Sequence, residues 1–380
     1  MSEDIRPLHV GKFVPPPYAG VEAHVDTLLR ALLPEALGTL VAGESETNAP
    51  NAAQHPYRVL TARSFGKFAS ATMSPGVLSL VRQELRSQRC NLLHIHAPNP
   101  WGDAAILTGA GDVPVVMTWH SDIVRQRRLF KLYRPIQRQA LQRADRIVVF
   151  TPKHYESSEQ LHQLDLGSKI VHVPIGIDFS LLERHFASPI ALQQFDNFAS
   201  GRPLLLTVGR HVYYKGYEYL LSAMARLHTD TVLAMVGTGP LTDALKRQAS
   251  ELGLSQRVLF LGEVDHSTLV AAFHRCDVFC LPSIAPSEAF GIASAEAMAC
   301  GKPTVVCELN NGVNYLNQGG LTGLTVAPFD TAALADAIDT LMLNDGLRSA
   351  LGRAANDWVR TQFSIQAMRD GTLQLYRQLI

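Results

Sequence analysis

The sequence carries no excess of charge of either sign. Lysine and arginine together number 34, as do aspartate and glutamate, so the formal net charge of the 380 residues is zero. A protein dedicated to nucleic acid shows a basic excess, because it must neutralise phosphates. We therefore expect no nucleic-acid partner.

Long apolar runs are also missing. No uninterrupted apolar stretch approaches the ~18 residues that span a bilayer, and the start, Met1-Ser2-Glu3-Asp4, does not read as a secretory leader. Cysteine is scarce, and the five thiols are odd in number and lie among apolar or small residues. That usage is typical of buried thiols in a reducing compartment. Together these absences favour a cytoplasmic protein.

Motifs for metal-assisted chemistry are absent as well. The sequence has no Asp-x-Asp pair, no Walker loop, no Gly-x-Ser-x-Gly elbow, and no histidine or carboxylate cluster at metal-ligand spacing. Cys276 and Cys280 flank three residues of a strand-like run, with no second pair, and are interpreted as buried thiols. We expect no metal ion and no other cofactor.

What the sequence does contain is an alternation of two patterns. Hydrophobic residues make up 47% of the chain, in short runs rich in Val, Ile and Leu that alternate with segments of helical period. The runs are apolar throughout, which is typical of strands buried on both faces in parallel sheets covered by helices.

The pattern predicts strands in two sets. The first set comprises residues 8–13, 40–42, 58–60, 92–96, 115–120, 146–151 and 170–174. The second set comprises residues 204–209, 232–237, 258–262, 278–282, 304–307 and 323–326. Helices are predicted at 21–33, 75–89, 129–142, 154–164, 217–228, 241–252, 267–276, 293–299 and 331–343.

Two sheets suit this length better than one. We therefore predict an α/β protein of two Rossmann-like, doubly wound parallel-sheet domains that face a cleft. The break is expected near residues 176–178, continuing through the polar stretch 187–202. The domains are then 1–177 and 178–362, followed by a C-terminal helix over 363–380, for which packing back on the first domain is one arrangement open to it.

The richest functional signal lies in residues 286–303. This segment follows a predicted strand and opens the helix predicted at 293–299, and the amides and dipole of a helix N-terminus suit phosphate oxygens. Gly291 lets a ligand approach the backbone, with Glu288 before it and Glu296 about one turn into the helix. We expect Glu296 to accept hydrogen bonds from ribose hydroxyls. Two solvated acids at a helix start are the plainer alternative.

A second signal lies in the loop 209–216, between a predicted strand and a predicted helix. Arg210 offers a planar fork for phosphate, and Lys215 offers a compact point charge. Ligands of doubly wound folds bind at the carboxyl ends of strands, so this pair suits a diphosphate. Two surface bases in a loop are the alternative.

Three other places carry weaker signals. Gly237 and Gly239 lack the third glycine and the acidic partner of a dinucleotide fingerprint, so we expect only a tight turn near a nucleotide base. Gly20 closes the loop 11–20, where its amide can reach a diphosphate or simply form a strand-to-helix turn. His120 ends an apolar strand and is expected to project into the cleft, with a structural histidine as the alternative.

These motifs together resemble the retaining GT-B glycosyltransferases of glycosyltransferase family 4. The resemblance rests on the Glu-x7-Glu segment, the Gly-Arg/Lys-Gly loop, the Val-Gly-Thr-Gly-Pro turn and the Pro-Ile-Gly-Ile-Asp junction at 174–178. In the first half it rests on the Pro-rich loop at 15–20 and on Thr-Trp-His-Ser-Asp at 118–122. It covers nearly the whole chain and is most specific in the second half. Ala19 departs from the family, many members of which have a glycine there.

The resemblance implies a role for each matching residue. Arg210 and Lys215 neutralise the diphosphate of the donor, Glu288 contacts the transferred sugar, and His120 faces that sugar or the reacting centre. These four residues are the catalytic candidates. The residues implied in donor binding are Gly20, Arg210, Lys215, Gly237, Gly239, Glu288, Phe290, Gly291, Ile292 and Glu296. No metal ligand is implied, because charge on the departing diphosphate is stabilised by the cationic loop.

The substrates follow from the resemblance only in outline. Residues 119–124 and 313–317 look most like mannosyltransferases that act on lipid-linked oligosaccharides in bacterial polysaccharide assembly. That favours GDP-mannose as donor and a glycan or polyprenyl-diphosphate-linked oligosaccharide as acceptor. A UDP-sugar is the alternative donor. An epimerase, a sugar phosphorylase and a non-catalytic nucleotide-sugar-binding regulator are alternative functions.

A basic segment predicts where the protein works. Between Arg125 and Arg146 there are eight bases and one acid, and Arg127, Lys131, Arg134 and Arg138 share one face of a helix. Leu129, Leu132, Ile136 and Ala140 are expected on the opposite face, packed on the sheet. Such a helix could dock on anionic lipid at the inner face of the cytoplasmic membrane. A solvated helix surface, or a kink at Pro135, is the alternative.

Overall fold

The computed structural model describes residues 4–15, 20–44, 55–68, 71–123 and 127–380. Within these ranges the chain forms two compact units, one of residues 1–176 with 363–380 and the other of residues 177–362. The second unit is continuous in sequence. The first is completed by the last residues of the chain.

The first unit is built on a parallel sheet of seven strands. In chain order these are β1 Pro7–Phe13, β2 Thr39–Gly43, β3 Arg58–Ala62, β6 Leu92–Ala97, β7 Val115–Trp119, β8 Arg146–Val149 and β9 Ile170–His172. A two-stranded antiparallel hairpin supplies β4 Lys67–Phe68 and β5 Ala71–Thr72. The strand order of the large sheet is β3-β2-β1-β6-β7-β8-β9, so the direction of winding reverses between β1 and β6.

The helices of the first unit cover both faces of its sheet. They are α1 Gly20–Leu32, α2 Gly76–Arg86, α3 Pro100–Gly109, α4 Arg127–Arg143, α5 Pro152–Glu156, α6 Glu159–His162 and α15 Ile365–Arg377. The last of these packs beside α1, where Met368, Leu373 and Tyr376 join a core cluster with Leu28 and Leu92. The C-terminal helix therefore belongs to the hydrophobic core of the first unit.

The second unit repeats the plan with six parallel strands. They are β10 Leu204–Val208, β11 Val232–Val236, β12 Val258–Gly262, β13 Val278–Leu281, β14 Thr304–Cys307 and β15 Gly323–Val326. Their order is β12-β11-β10-β13-β14-β15, with the reversal between β10 and β13. The helices are α7 Pro189–Ala199, α8 Tyr217–Met224, α9 Thr242–Glu251, α10 His266–Arg275, α11 Ile292–Ala299, α12 Gly312–Leu316, α13 Thr331–Leu343 and α14 Asp345–Gln362.

These sheets confirm the predicted fold class of two doubly wound parallel-sheet domains. Every predicted strand is present, because a run of Val, Ile and Leu buried on both faces leaves little choice of structure. The small β4–β5 hairpin and the helices α3, α12 and α14 were not predicted. The segment predicted as one helix at 154–164 is broken into α5 and α6, with Ser158 capping the second by accepting a hydrogen bond from the amide of Leu161.

One part of the predicted linker is wrong. The polar stretch 187–202 contains the helix α7, which begins after Ser188 with Pro189 in its first turn. The Ser188 hydroxyl accepts a hydrogen bond from the Ala191 amide at 3.2 Å. Phe195 and two alanines are buried, while the glutamines and Asn197 are exposed. A narrow apolar stripe is enough to pack this helix against α10.

Candidate active site

Two loops that carry candidate residues begin at the reversal point of the second sheet. Arg210 and Lys215 follow β10, and Glu288 to Ile292 follow β13, which is its neighbour in the sheet. Because all strands are parallel, these loops emerge at the same edge. A doubly wound sheet binds its ligands at this kind of position.

An ion pair joins the two loops. The Nζ atom of Lys215 lies 2.5 Å from Oε2 of Glu288, and both side chains are buried. Burial opposes the charge of the lysine, but the neighbouring Glu288 carboxylate outweighs it and raises the pKa of Lys215. Lys215 is therefore a firmly charged cation.

Glu288 is held from two further sides. The Ser283 hydroxyl donates to its Oε2 at 3.0 Å, and the side-chain amide of Asn311 donates to its backbone oxygen at 2.7 Å. Asn311 also caps α12. The sequence analysis identified neither Ser283 nor Asn311, because a single Ser or Asn in a loop carries no pattern.

Arg210 differs from Lys215 in its surroundings. Its side chain is exposed and forms part of the wall of a cavity of about 950 Å³ at the ends of β10, β11 and β12. Gly237, Gly239 and Glu263 line the same cavity. The structure thus brings the predicted Arg210 and the two glycines together, and it adds Glu263, which no sequence motif indicated.

Gly237 and Gly239 also have a packing role. Gly237 adopts a φ of +119°, and a Cβ atom there would lie 2.2 Å from the backbone oxygen of Gly209. At Gly239 a Cβ atom would lie 2.4 Å from the backbone oxygen of His211. Because these glycines have no Cβ atom, the loops after β10 and β11 can pack in direct contact. The sequence motif did not predict this packing role.

The segment after β13 turns sharply into α11. Gly291 is the residue before the helix and has a φ of +83°, and a Cβ atom there would lie 2.7 Å from Leu281. The first backbone amide that bonds back into this turn is that of Ser294, which donates to the oxygen of Gly291. The amides of Phe290 to Ile292 precede it, as expected for a helix start that receives an anion.

Glu296 lies in the first turns of α11 and is partly buried. Its burial raises the pKa of the carboxyl group to about 7 from the ordinary value of 4.5. The carboxyl group is therefore half-protonated near neutral pH, because burial penalises its charged form.

In the first unit the candidates Gly20 and His120 lie at the carboxyl ends of strands. Gly20 begins α1 after β1, and a Cβ atom there would meet no described residue within 4 Å apart from its chain neighbours and its own helix. His120 follows β7, and its side chain is buried. Residues 16–19, which include the proline-rich loop and Ala19, lie outside the described residues.

His120 is the end of a histidine cluster that the sequence analysis missed. His9 on β1, His24 on α1, and His94 and His96 on β6 are all buried near it. Two histidines spaced two residues apart on a strand share one face of the sheet, which was the available signal. The neighbours from β1, α1 and β7 are brought in only by the fold.

Residue spacing along the sequence thus did not reveal two groups of histidines that lie close enough together to hold a metal ion. The ligand atoms of His9, His94 and His96 lie within 4.8 Å of one another, and so do those of His24, His96 and His120. In the first group, however, the ring nitrogens already bond to one another, to Tyr376 or to Thr118. Both groups are dense enough for a metal ion. Hydrogen bonds engage the ring nitrogens of the first group, whereas in the second group Nδ1 of His24 is buried without a hydrogen-bond partner among the described residues.

Both halves of the chain match known protein families. Residues 18–181 match the family described as Glycosyltransferase Family 4, and residues 191–358 match the family described as Glycosyl transferases group 1. Together the two matches cover both units of the structure.

Curated relatives resemble the chain over most of its length. O-antigen chain mannosyltransferase C of Escherichia coli is 30% identical over 386 residues, covering 99% of each chain. D-rhamnosyltransferase WbpZ of Pseudomonas aeruginosa is 35% identical, covering 78% of this chain and 76% of its own. A phosphatidyl-myo-inositol mannosyltransferase of Mycobacterium leprae is 28% identical, covering 90% and 88%.

Solved structures share the fold at low identity. Anabaena HepE, in complex with UDP and glucose, has a TM-score of 0.80 at 19% identity and covers 99% of this chain and 100% of its own. Sucrose-phosphate synthase from Thermosynechococcus elongatus has a TM-score of 0.79 at 21% identity, covering 99% of each. The likeness to these structures confirms the GT-B fold.

The raised pKa of Glu296 predicts a pH-dependent stability. Between pH 4.5 and about 7 the folded protein keeps a proton that the unfolded chain has released, so wild type loses stability as the pH rises through this window. We expect the loss to be about 1–3 kcal/mol, and Glu296→Gln removes it. Thermal midpoints of both proteins should therefore differ little at pH 5, with the variant clearly higher at pH 8. An equal difference at both values contradicts the raised pKa.

Proposed function

The chain belongs to the glycosyltransferases that join a family 4 domain to a group 1 domain, and we propose that it moves mannose from GDP-mannose to a glycan acceptor with retention of configuration. The acceptor we propose is a polyprenyl-diphosphate-linked oligosaccharide, used in polysaccharide assembly. That the chain is a glycosyltransferase follows from its family. The donor, the acceptor and the stereochemistry are the content of the proposal.

The observation that carries the proposal is the group of charges at the reversal point of the second sheet. Arg210 and Lys215 supply two cations, Glu288 supplies a carboxylate beside Lys215, and the start of α11 supplies backbone amides. A nucleotide diphosphate needs cations and amides, and a sugar needs a carboxylate that accepts from its hydroxyls. These requirements match the group of residues present.

In the proposed reaction, the protein contributes chiefly by stabilising negative charge on the leaving group. The bond between the sugar C1 and the diphosphate oxygen breaks while the acceptor oxygen bonds to C1 on the same face. The departing diphosphate takes the proton of the acceptor hydroxyl. Arg210 and Lys215 stabilise the negative charge that grows on the diphosphate, and no metal ion is needed for that role. We propose that His120 serves the same reaction by contacting the sugar.

Removal of Lys215 tests this chemistry. Because Lys215 stabilises charge that develops in the transition state, Lys215→Ala should lower kcat by about 100-fold or more, in buffer containing EDTA. Lys246→Ala, which removes an exposed cation on α9 of the same unit, is the matched control and should keep its activity. A mutant that only raises the donor KM makes Lys215 a uniform binder. A Mg²⁺-reversible loss of wild-type activity in EDTA contradicts the metal-independent mechanism.

Glu263 supports guanine as the base of the donor. It follows β12 and lines the 950 Å³ cavity, where its Oε1 accepts a hydrogen bond from the Thr238 hydroxyl at 3.0 Å. Guanine presents two adjacent N–H donors, at N1 and N2, which one carboxylate can accept together. Uracil presents a single N–H between two carbonyl oxygens, which a carboxylate repels. A carboxylate in this cavity therefore favours GDP over UDP.

The identity of the sugar rests on the relatives. Two of the three curated relatives described above are named mannosyltransferases, and the third is named a D-rhamnosyltransferase. The segment 313–317 supports the assignment of mannose less than its sequence suggested, because the side-chain amides of its two asparagines bond to backbone oxygens within the fold. Asn314 donates to Cys307 at 3.0 Å, and Asn317 donates to Val313 at 2.8 Å.

Calorimetric titration tests the base assignment. Wild type should bind GDP and GDP-mannose more tightly than UDP, UDP-glucose, UDP-galactose and UDP-GlcNAc. Glu263→Gln should weaken GDP by roughly tenfold, since hydrogen bonds to a charged group contribute about 1.5–3 kcal/mol, and leave UDP nearly unchanged. Exchange of Glu308, an exposed acid outside the cavity wall, for Gln is the control. Preference of wild type for UDP sinks the GDP assignment and leaves the family intact.

The helix α4 supports a docking site for anionic membrane. Lys131, Arg134 and Arg138 are exposed along one side of it, as the sequence predicted, and the side chain of the fourth predicted base, Arg127, is not among those described. The expectation that the apolar side chains pack on the sheet is wrong for all but Ala140. Leu132 is 79% exposed, and Ile136 and Leu129 are 44% and 42% exposed. The helix continues through Pro135.

A helix that exposes Leu129, Leu132 and Ile136 as well as a row of bases suits the boundary between lipid headgroups and acyl chains. Within the described residues, none of the helices has both the length and the apolar content to cross a bilayer. We therefore propose peripheral binding at the inner face of the cytoplasmic membrane, where a lipid-linked acceptor is found.

Vesicle co-sedimentation tests the membrane proposal. Wild type should bind vesicles containing phosphatidylglycerol, at about 1 kcal/mol per base near the surface, and lose binding at high salt. Changing Lys131, Arg134 and Arg138 together to Gln should abolish it, and Leu132→Ser should weaken it. The control changes Arg226, Arg247 and Arg353, three exposed bases of the second unit, to Gln. Equal binding by both triple variants contradicts the assignment to α4.

A further inference from the structure

A row of buried imidazoles connects the C-terminal helix to His120. The Tyr376 hydroxyl lies 3.3 Å from Nε2 of His9, and Nδ1 of His9 lies 3.0 Å from Nε2 of His96. Nδ1 of His96 then lies 3.2 Å from Nε2 of His120. These contacts form one hydrogen-bonded chain across α15, β1, β6 and the end of β7.

A second contact of Tyr376 determines which partner is the donor in each hydrogen bond of the chain. The Tyr376 hydroxyl also lies 2.6 Å from Nδ1 of His94, whose Nε2 lies 2.7 Å from the Thr118 hydroxyl. An O–H donor makes shorter bonds than an N–H donor. The 3.3 Å contact with His9 is too long for an O–H donor, so Tyr376 accepts there and gives its proton to Nδ1 of His94. Nε2–H of His94 then donates to Thr118, at the short end of the range of N–H donors.

The rings of the chain are neutral. Burial lowers the pKa of His9 to about 3, and it lowers the pKa of His94, His96 and His120 well below their ordinary value, with neighbouring histidines adding to the effect. Lys12 and His154 also face His120 and lower its pKa further. A neutral imidazole has one donor and one acceptor nitrogen, so each link of the chain determines the next.

Following the links from Tyr376 gives a unique proton arrangement. His9 donates from Nε2 to the tyrosine oxygen, so its Nδ1 accepts from Nε2 of His96. His96 then has a bare Nδ1, which accepts from Nε2 of His120. His120 is consequently protonated at Nε2 and has a lone pair at Nδ1. Within the described part of the chain, Nδ1 of His120 has no hydrogen-bond partner.

We infer that Tyr376, His9 and His96 are positioning residues that hold His120 in the Nε2–H tautomer, so that its Nδ1 is a hydrogen-bond acceptor. The group that meets this nitrogen must be a donor. Under the proposed glycosyl transfer, on which this identification rests, the donor group is a hydroxyl of a sugar. A phosphate or carboxylate oxygen, which only accepts, is excluded from the position.

The arrangement also explains why the C-terminal helix carries a buried tyrosine. Without the phenol, the Nε2–H of His9 is a buried donor with no partner, which is costly. Reversing the direction of every hydrogen bond in the chain is then favourable. The reversal moves the unpaired N–H from the buried His9 to Nδ1 of His120, at the end of the strand. Tyr376→Phe is therefore expected to change the tautomer of a residue two imidazole rings away.

Nitrogen NMR of ¹⁵N-histidine-labelled protein tests the inference directly. Two-bond ¹⁵N–¹H correlations distinguish protonated from unprotonated ring nitrogens, and the spectrum of His120→Gln assigns the His120 signals. In wild type at pH 7, Nδ1 of His120 should be the unprotonated nitrogen. In Tyr376→Phe and His96→Leu, a substantial fraction of Nδ1–H should appear.

His96→Asn is the conservative control. The oxygen of Asn occupies nearly the place of Nδ1 of histidine and can accept from His120, so this variant should keep the wild-type tautomer. A loss of tautomer preference in His96→Leu with its retention in His96→Asn separates positioning from general loss of packing. Equal spectra for the two variants overturn the inference.

Three other results also overturn it. The first is a His120 protonated at Nδ1 in wild type, and the second is a charged His120 at pH 7. The third is stoichiometric, EDTA-removable Zn²⁺ whose removal shifts the signals of His9 and His96, because those nitrogens would then be metal ligands rather than links of the chain.

Activity provides a separate measurement. With GDP-mannose and a lipid-linked acceptor, kcat/KM of Tyr376→Phe and His96→Leu should fall roughly tenfold, and His96→Asn should stay within about twofold of wild type. Addition of GDP-mannose should shift the Nδ1 signal of His120 while leaving it unprotonated. The predicted tautomers without transfer activity contradict the proposed function and support the chain. Transfer activity with the opposite tautomer contradicts the chain and leaves the function standing.

Discussion

Parallel pairing of strands buried on both faces is the constraint on which the rest of the structure depends. It sends every strand of a sheet in one direction, so the loops after the strands emerge at one edge. The two reversals of strand order, between β1 and β6 and between β10 and β13, open that edge in each unit. Arg210, Lys215 and Glu288 follow the two strands at the second of these points, Gly20 follows β1 at the first, and His120 follows β7, the neighbour of β6. Loops far apart in sequence, such as those holding Lys215 and Glu288, thereby come within bonding distance.

Burial then decides the charge state of the polar groups at these edges. Lys215 keeps its charge because the Glu288 carboxylate beside it outweighs the cost of burial and raises the pKa of the lysine. Glu296 has no ion-pair partner among the described residues, and burial raises its pKa to about 7. Burial lowers the pKa of His9, His96 and His120 in the first unit, so these rings stay neutral and bond to one another. The second unit thus has charged groups at the edge of its sheet. The first unit has neutral imidazole rings there, and their hydrogen bonds depend on which ring nitrogen carries the proton.

The sequence predicted the strands well and the helices less evenly. A fully buried strand needs a continuous apolar run, which is visible in any window of the chain. Helices such as α7 bury only a narrow stripe, and its polar majority resembled a linker. The apolar side of α4 was expected on the sheet but is exposed at Leu129, Leu132 and Ile136, since periodicity identifies a face without identifying what covers it.

The sequence by itself determined the fold class, the family and the segments that carry the candidate site, because strand runs and the motifs around Glu288 and Lys215 are local patterns. Only the tertiary structure decided which side chains meet. The pairing of Lys215 with Glu288, the partial burial of Glu296, and the place of Glu263 in the cavity wall depend on separate strands and loops. The chain from Tyr376 to His120 joins residues from opposite ends of the sequence. Contacts of that kind leave no local signal, because hydrogen bonding and burial act through space.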